Sequence, residues 1–587
     1  MAMIRLRPRR APRPLGLHQS FHWRLAVLAL FFLVLLAAIA VRVFALAIVE
    51  HRKFVRAARR QQEIARVLPS LRGTIYAQDK SGTLTPLAVQ KSFFTLTAVP
   101  QQIEDAGAAA SALAPILGQP QSAIAAKLGK RDDPYEVLAR KLGEETAGRL
   151  RALGIAGLNL LEEPRRIYPQ GRLAAPVVGF VSYEDGEERG EYGIEKHFER
   201  HLKGERGFFA GVKDAAGSWV ALGRRILNPP VNGESVVLTI DPNIQFRLEA
   251  ELTALLSRWQ AGSAAGIIME PKTGRILAAA AVPSFDSNRY SDERDFSVFR
   301  MPLFDSQFEL GSVFKPITMA AGIQEGVVTA TTTYRDPGTV RMNGFTISNF
   351  DGRAHGTQTM TQVLEQSLNT GAIFVGQRLG RDRFFAAVRR FGFGAKAGVD
   401  FPGEVGGDIS NLPAGRDVDY ATAAFGQGIA VTPLQMAFAI GAIANGGTLM
   451  RPYIVEKVMD SSGSEEVRRP EAVSRVVDGA TAETVTKMLV SVVRNGYDNR
   501  AGVKGYFVAG KTGTAQIPLS SRRGYSLDVI HTFVGYAPAF DPRFLALVQL
   551  NRPLGNRFAA NTLSPTFSNL AAFILSYYEV PPDEVSP

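Results

Sequence analysis

The chain has 587 residues, 46% hydrophobic and 21% charged, with a formal net charge of +12 and no cysteine. That length is too great for one hydrophobic core and predicts two or three domains of ordinary globular composition. The lack of cysteine excludes disulfides and a lipid-modified cysteine anchor.

The positive charge is unevenly placed. Residues 1–24 hold Arg5, Arg7, Arg9, Arg10, Arg13 and Arg24 and no acid. A basic tail can serve nucleic acid, but the adjoining segment points to a membrane instead. Leu25 to Val41 is an uncharged run, Arg42 interrupts it, and Val43 to Val49 is apolar again. At about 1.5 Å per residue this crosses a bilayer core, so 1–24 reads as a cytoplasmic tail and 25–49 as a transmembrane anchor. Arg42 falls near the outer end, where it can snorkel or face a partner helix. The first acid is Glu50; arginines before the span and acids after it place the N-terminus inside and the bulk of the chain outside. Ala45-Leu46-Ala47 resembles a cleavage box, so a cleaved signal peptide is the rival reading. The apolar stretch is long for a signal core and favours a retained anchor.

Beyond the anchor, His51 to Val67 reads as a polar helix leading off the membrane, and Pro69 opens a Gly-rich region of mixed strands. Ala106 to Leu153 has Ala/Leu-rich helical periodicity and predicts a small helical lobe. Val236 to Asp241 is a β-branched run ended by Asp241-Pro242, after which a helix is expected. Gly266 to Glu270 and Ile276 to Ala281 predict a hairpin turned by Lys272-Thr273-Gly274. The tail from Pro581 to Pro587 predicts disorder. His197 and His201 stand i, i+4, as in zinc proteases, but Phe198 occupies the place of the general base and no third ligand is apparent. No metal and no cofactor is expected.

The chemistry is concentrated in the back half. Ser312-Val313-Phe314-Lys315, Ser367-Leu368-Asn369 and Lys511-Thr512-Gly513-Thr514 occur in that order, 55 and then 144 positions apart. A serine three residues before a lysine on a helix puts both side chains on one face. An ammonium deprotonated in a dry pocket can take the serine proton, so this pair needs no histidine, metal or cofactor. Each motif alone fits a bland helix or strand end; it is the order and spacing that specify a Ser/Lys acyl-transfer site.

With Phe308-Glu309-Leu310-Gly311 before the serine and Ala515-Gln516 after Thr514, the set resembles the class B penicillin-binding proteins. Arg72 to Tyr76, Arg166 to Gly171 and Gly190 to Glu195 resemble that family's pedestal blocks. Ala424 to Gly428 and Thr532 to Pro538 resemble later parts of its catalytic domain. The resemblance implies an α/β architecture: a single N-terminal transmembrane helix, a mixed α+β pedestal (50–230), and a β-lactamase-like transpeptidase domain (231–580) whose antiparallel sheet is flanked by helices.

It further implies a D,D-transpeptidase of peptidoglycan stem peptides. Ser312 would be the nucleophile, Lys315 the base, Ser367 the relay to the departing amine, and Asn369 a partner of Lys315 and the substrate amide. Lys511, Thr512 and Thr514 would meet the substrate carboxylate. Gly513 would admit close backbone approach, and the N–H groups of Ser312 and Thr514 would form the oxyanion hole. Implied partners are β-lactams as inhibitors, the bacterial inner membrane and a SEDS-family glycosyltransferase, with no nucleic acid. The Glu309 to Lys315 string looks FtsI-like and favours septal synthesis; elongation of the lateral wall is the alternative. A β-lactam sensor is disfavoured because a 24-residue tail leaves no room for an output domain.

Overall fold

The computed structural model describes residues 17–49, 63–68, 70–184, 187–212, 225–519 and 524–583. Five of the six tail arginines therefore lie outside the described residues. The chain divides into two compact units: 1–69 with 206–230, and 70–205 with 231–587.

In the first unit, Leu17–Phe44 is one α-helix that continues into a π-helical turn over Ala45–Val49. Trp23–Phe44 is apolar and unburied, 22 residues with mean hydropathy 2.9, about 33 Å of helix. That length and composition fit a single membrane anchor. Glu63–Leu68, Gly207–Val212 and Arg225–Asn228 form a three-stranded antiparallel sheet. The polar helix expected over 51–67 gives way to a strand over its last residues, 63–67. Residues 51–62 lie outside the described residues, and 63–68 are a strand paired with Val212 back to Gly207. Its partner is remote in sequence, so local polarity carried no sign of it.

The second unit holds two larger sheets. In one, the strands run Glu465–Val467, Val455–Met459, Ser235–Leu238, Ile75–Gln78, Leu84–Ala98 and Glu136–Leu142, with Leu158–Ile167 also on Leu84–Ala98. This sheet joins segments from both sides of position 230 through the parallel pairing of Val236 with Ile75. The helical lobe is also corrected: helices Ala106–Leu117, Gln121–Leu128 and Glu144–Ala152 are present, but Glu136–Leu142 is a strand.

The three pedestal blocks meet in one buried cluster. Arg72 Nε and Arg166 Nε donate to opposite oxygens of Glu195, at 2.7 and 2.6 Å, with all three side chains almost wholly buried. Arg166 also caps Gly73 O, Arg72 reaches Glu199, and Tyr168 OH donates to Glu195 Oε1. Tyr168 and Asn288 exchange a pair of hydrogen bonds that tie this block to the catalytic part.

The other sheet is wholly antiparallel, in the order Ile276–Val282, Ser263–Met269, Phe544–Asn551, Tyr525–Ala537, Ala509–Pro518. Asp241 caps helix Pro242–Arg258 by accepting from the N–H groups of Asn243 and Ile244. The apolar face of that helix and of Ser564–Tyr577 covers one side of the sheet. Helices Lys315–Gln324 and Pro433–Ala444 pack on the other. Alternation of side chains lets one sheet serve both cores. The C-terminal segment is ordered further than expected: Asp583 accepts from Phe507 N–H and Val580 O from Tyr506 OH. Residues 584–587 lie outside the described residues.

His201 pairs with Glu234, and the surface residue His197 has its pKa lowered by desolvation and by Arg468 against the pull of Asp400. No cluster of three or more metal-ligating side chains occurs among the described residues.

Candidate active site

Ser312 stands in a 3₁₀ turn, Gly311–Phe314, that runs into helix Lys315–Gln324. Side chains three apart eclipse in such a turn, which aligns Ser312 with Lys315. Two glycines set it. Gly311 has φ +62 and donates to Gly426 O; Gly426 has φ +79, and a Cβ there would lie 2.3 Å from Gly311 O. The Ala424 to Gly428 block is thus the brace behind the serine. Ser312 is half-exposed while Lys315 is 1% exposed.

Lys315 Nζ donates to Ser367 O, to Ser367 Oγ at 3.2 Å and to Asn369 Oδ1 at 2.8 Å. Burial, and then the Lys511 cation, pull its pKa well below the ordinary lysine value. Ser367 has φ +53, a left-handed conformation that is unfavourable for a residue with a side chain. That conformation presents both its carbonyl and its hydroxyl to the lysine. Asn369 opens helix Asn369–Leu379 and gives its Nδ2 to Ser348 O at 2.9 Å.

A second polar layer, unseen in the sequence, lies behind these residues. Asp336 accepts from Thr370 Oγ1, from both Asn349 and the Gly338 N–H, and from the His355 N–H. Burial alone would raise this carboxyl, but those hydrogen bonds hold it below the ordinary value. The layer fixes the hairpin Thr339–Met342/Phe345–Ser348 beside Asn369. Only the Asp336-Pro337-Gly338 turn signal marked it, and that signal is nonspecific.

Lys511, Thr512, Gly513 and Thr514 lie on Ala509–Pro518, the edge strand of the five-stranded sheet. Thr512 N–H donates to Asp498 rather than to the neighbouring strand, so it points off the sheet edge. In an antiparallel ladder the residue two along points the same way, so Thr514 N–H and C=O also face outward. That edge faces the serine: a Cβ on Gly311 would lie 3.2 Å from Thr514 O.

Gly513 admits a close backbone approach, as expected of it. A Cβ there would fall 2.4 Å from Leu310 O and 3.2 Å from Val313 N. The close backbone is the chain's own serine turn. Gly513→Ala is accordingly expected to push that turn aside and slow penicillin acylation about 10²-fold, the scale of a 1 Å misplacement. Stopped-flow acylation with unchanged thermal melting checks it.

Lys511 is 2% exposed, with Nζ on Thr512 O and 3.8 Å from Asp498. Burial lowers its pKa, partly offset by Asp498. Thr512 departs from expectation: its hydroxyl donates to Asp498 Oδ1 at 2.7 Å rather than standing free for a ligand. Thr514 Oγ1 accepts from Ala559 N–H, leaving its own proton to donate. All eight sequence-selected residues come together at this one place.

The family model for the penicillin binding protein transpeptidase domain matches residues 264–571, and that for the penicillin-binding protein dimerisation domain matches 67–238. The chain belongs to the penicillin-binding proteins. This penicillin-binding protein is 33% identical to stage V sporulation protein D of Bacillus subtilis, over 84% of its own length and 76% of that protein's. It is 29% identical to the Escherichia coli peptidoglycan D,D-transpeptidase FtsI, over 97% and 94%. Its fold matches the crystal structure of penicillin-binding protein 2X from Streptococcus thermophilus with a TM-score of 0.79, at 22% identity, covering 87% of this chain and 80% of the other.

Proposed function

We propose that this penicillin-binding protein is a serine D,D-transpeptidase that cross-links peptidoglycan stem peptides through an acyl-enzyme on Ser312. The observation that carries the reading is the buried Lys315 amine, depressed in pKa and held by Ser367 and Asn369 one turn from Ser312. Neutral Lys315 takes the Ser312 proton as Oγ attacks the penultimate D-alanine carbonyl. The N–H groups of Ser312 and Thr514 receive the developing oxyanion. The C–N bond breaks, and the leaving D-alanine amine takes the proton back through Ser367. An amine of a second stem peptide then attacks the ester and frees the serine. Lys511 and Thr514 meet the terminal carboxylate, and the donor peptide lies along the edge strand. Purified enzyme given a D-Ala-D-Ala donor and an acceptor amine should release D-alanine and form the cross-linked product. Failure of both would overturn the reading.

The helix of Trp23–Phe44 anchors the protein in the inner membrane, with the N-terminus inside, a pedestal over 50–230 and a transpeptidase domain over 231–580 outside. Septal synthesis with a SEDS-family glycosyltransferase is the role we favour, supported by the near full-length likeness to a protein named FtsI. Depletion should make cells filament; rounding would assign the protein to elongation.

A further inference from the structure

The carboxylate of Asp498 occupies donors that a ligand needs. It takes the N–H and the hydroxyl of Thr512, at 2.9 and 2.7 Å, and stands 3.8 Å from Lys511 Nζ. An aspartate at the start of a helical turn ordinarily caps that turn. Asp498 precedes the 3₁₀ turn Asn499–Ala501 but makes no side-chain cap to it. Its side chain, 1% exposed, is turned instead onto the Lys511 strand. Of the two threonine hydroxyls on that strand, Thr514 keeps its proton for a ligand, and Thr512 has already given its proton away.

We propose that Asp498 is an internal competitor at the carboxylate subsite. It holds Thr512 and part of the Lys511 charge against the terminal carboxylate of the donor peptide, or of a β-lactam, and so sets how strongly the site takes anionic ligands. The proposal rests on the acyl-serine reading of Ser312. When a ligand carboxylate arrives, Thr512 exchanges its hydrogen bond from Asp498 to the ligand, and Asp498 is left beside a like charge. This residue therefore lowers acylation by ligands that carry the carboxylate and is indifferent to ligands that do not.

The test uses the full-length protein in detergent with two probes, benzylpenicillin and its neutral methyl ester. Asp498→Asn keeps the shape and removes the charge. Its second-order acylation rate with benzylpenicillin should rise about tenfold, the scale of relieving one close like-charge contact at a partly screened site. The rate with the ester should stay within about twofold. An unchanged or lower benzylpenicillin rate would make Asp498 a brace for Lys511 and overturn the proposal. If Asp498→Asn does not fold, the penicilloyl form of the unaltered protein decides. The Thr512 hydroxyl should then sit on the ligand carboxylate and off Asp498; a retained Thr512–Asp498 bond overturns the proposal. A protein that takes no penicillin on Ser312 fails the acyl-serine reading itself. One that acylates there but ignores the charge at position 498 fails only this inference.

Discussion

Lys315→Ala is expected to slow acylation of Ser312 by about 10³–10⁴-fold, the upper range for loss of a positioned general base. Lys511, the other buried amine of the site, is no ready substitute, since it directs its Nζ to Thr512 O and pairs with Asp498. The pH dependence comes from burial and the Lys511 cation, which depress the Lys315 pKa. Below that pKa the protonated amine cannot accept the serine proton, so the rate falls about tenfold per pH unit; above it, the rate is level. Lys511→Ala removes the cation, raises the Lys315 pKa and moves the acid limb to higher pH. Stability gives an independent check. The folded state binds the Lys315 proton less readily than the unfolded chain does, so this residue costs stability below its unfolded pKa, about 10.4. Lys315→Met should therefore be inactive yet melt no lower than the parent. Penicillin acylation across pH, with melting of each variant, measures both.

Glu195→Ala should destabilise the protein by about 3–5 kcal/mol, because it leaves two buried guanidinium groups without their shared counter-charge. Arg72 and Arg166 each place Nε on Glu195, and the guanidinium atoms Arg72 Nη1 and Arg166 Nη2 have no hydrogen-bond partner among the described residues. Burial would raise the Glu195 carboxyl, but Arg166 and Arg72 hold it below its ordinary value of 4.5. A depressed folded pKa gives stability that is fully present above the unfolded value and is lost as pH falls through the folded one. The parent should thus lose stability as the pH falls below that ordinary value, and the variant should lack this component. Urea unfolding at neutral and acid pH checks both. An unchanged midpoint would mean that the three pedestal blocks are not joined through this carboxylate.

Features written in local pattern were legible in the sequence. The apolar run from Leu25 marked the anchor helix. Asp241-Pro242 marked a helix start, and Lys272-Thr273-Gly274 the turn of a hairpin at the head of the main sheet. The three site motifs carried their residues to one place because each is fixed within a few positions of its own glycine or helix start. What escaped depends on remote partners. Glu63–Leu68 becomes a strand only against Gly207–Val212. Asp336 reads as an ordinary turn former until Thr370 and Asn349 close on it. Asp498 sits in the unremarkable stretch Tyr497-Asp498-Asn499, and nothing local turns it onto Thr512. Gly513 was picked out as a position that tolerates no side chain, but the object it must clear, Leu310 O, arrives from about two hundred residues upstream.

The central claim is that Ser312 is the acylated nucleophile, and locating the penicillin adduct tests it most directly. Full-length protein incubated with benzylpenicillin, digested and read by mass spectrometry, should carry one penicilloyl group on the peptide containing Ser312, and Ser312→Ala should carry none while melting as the parent does. An adduct on any other serine, or undiminished labelling of Ser312→Ala, would contradict the account.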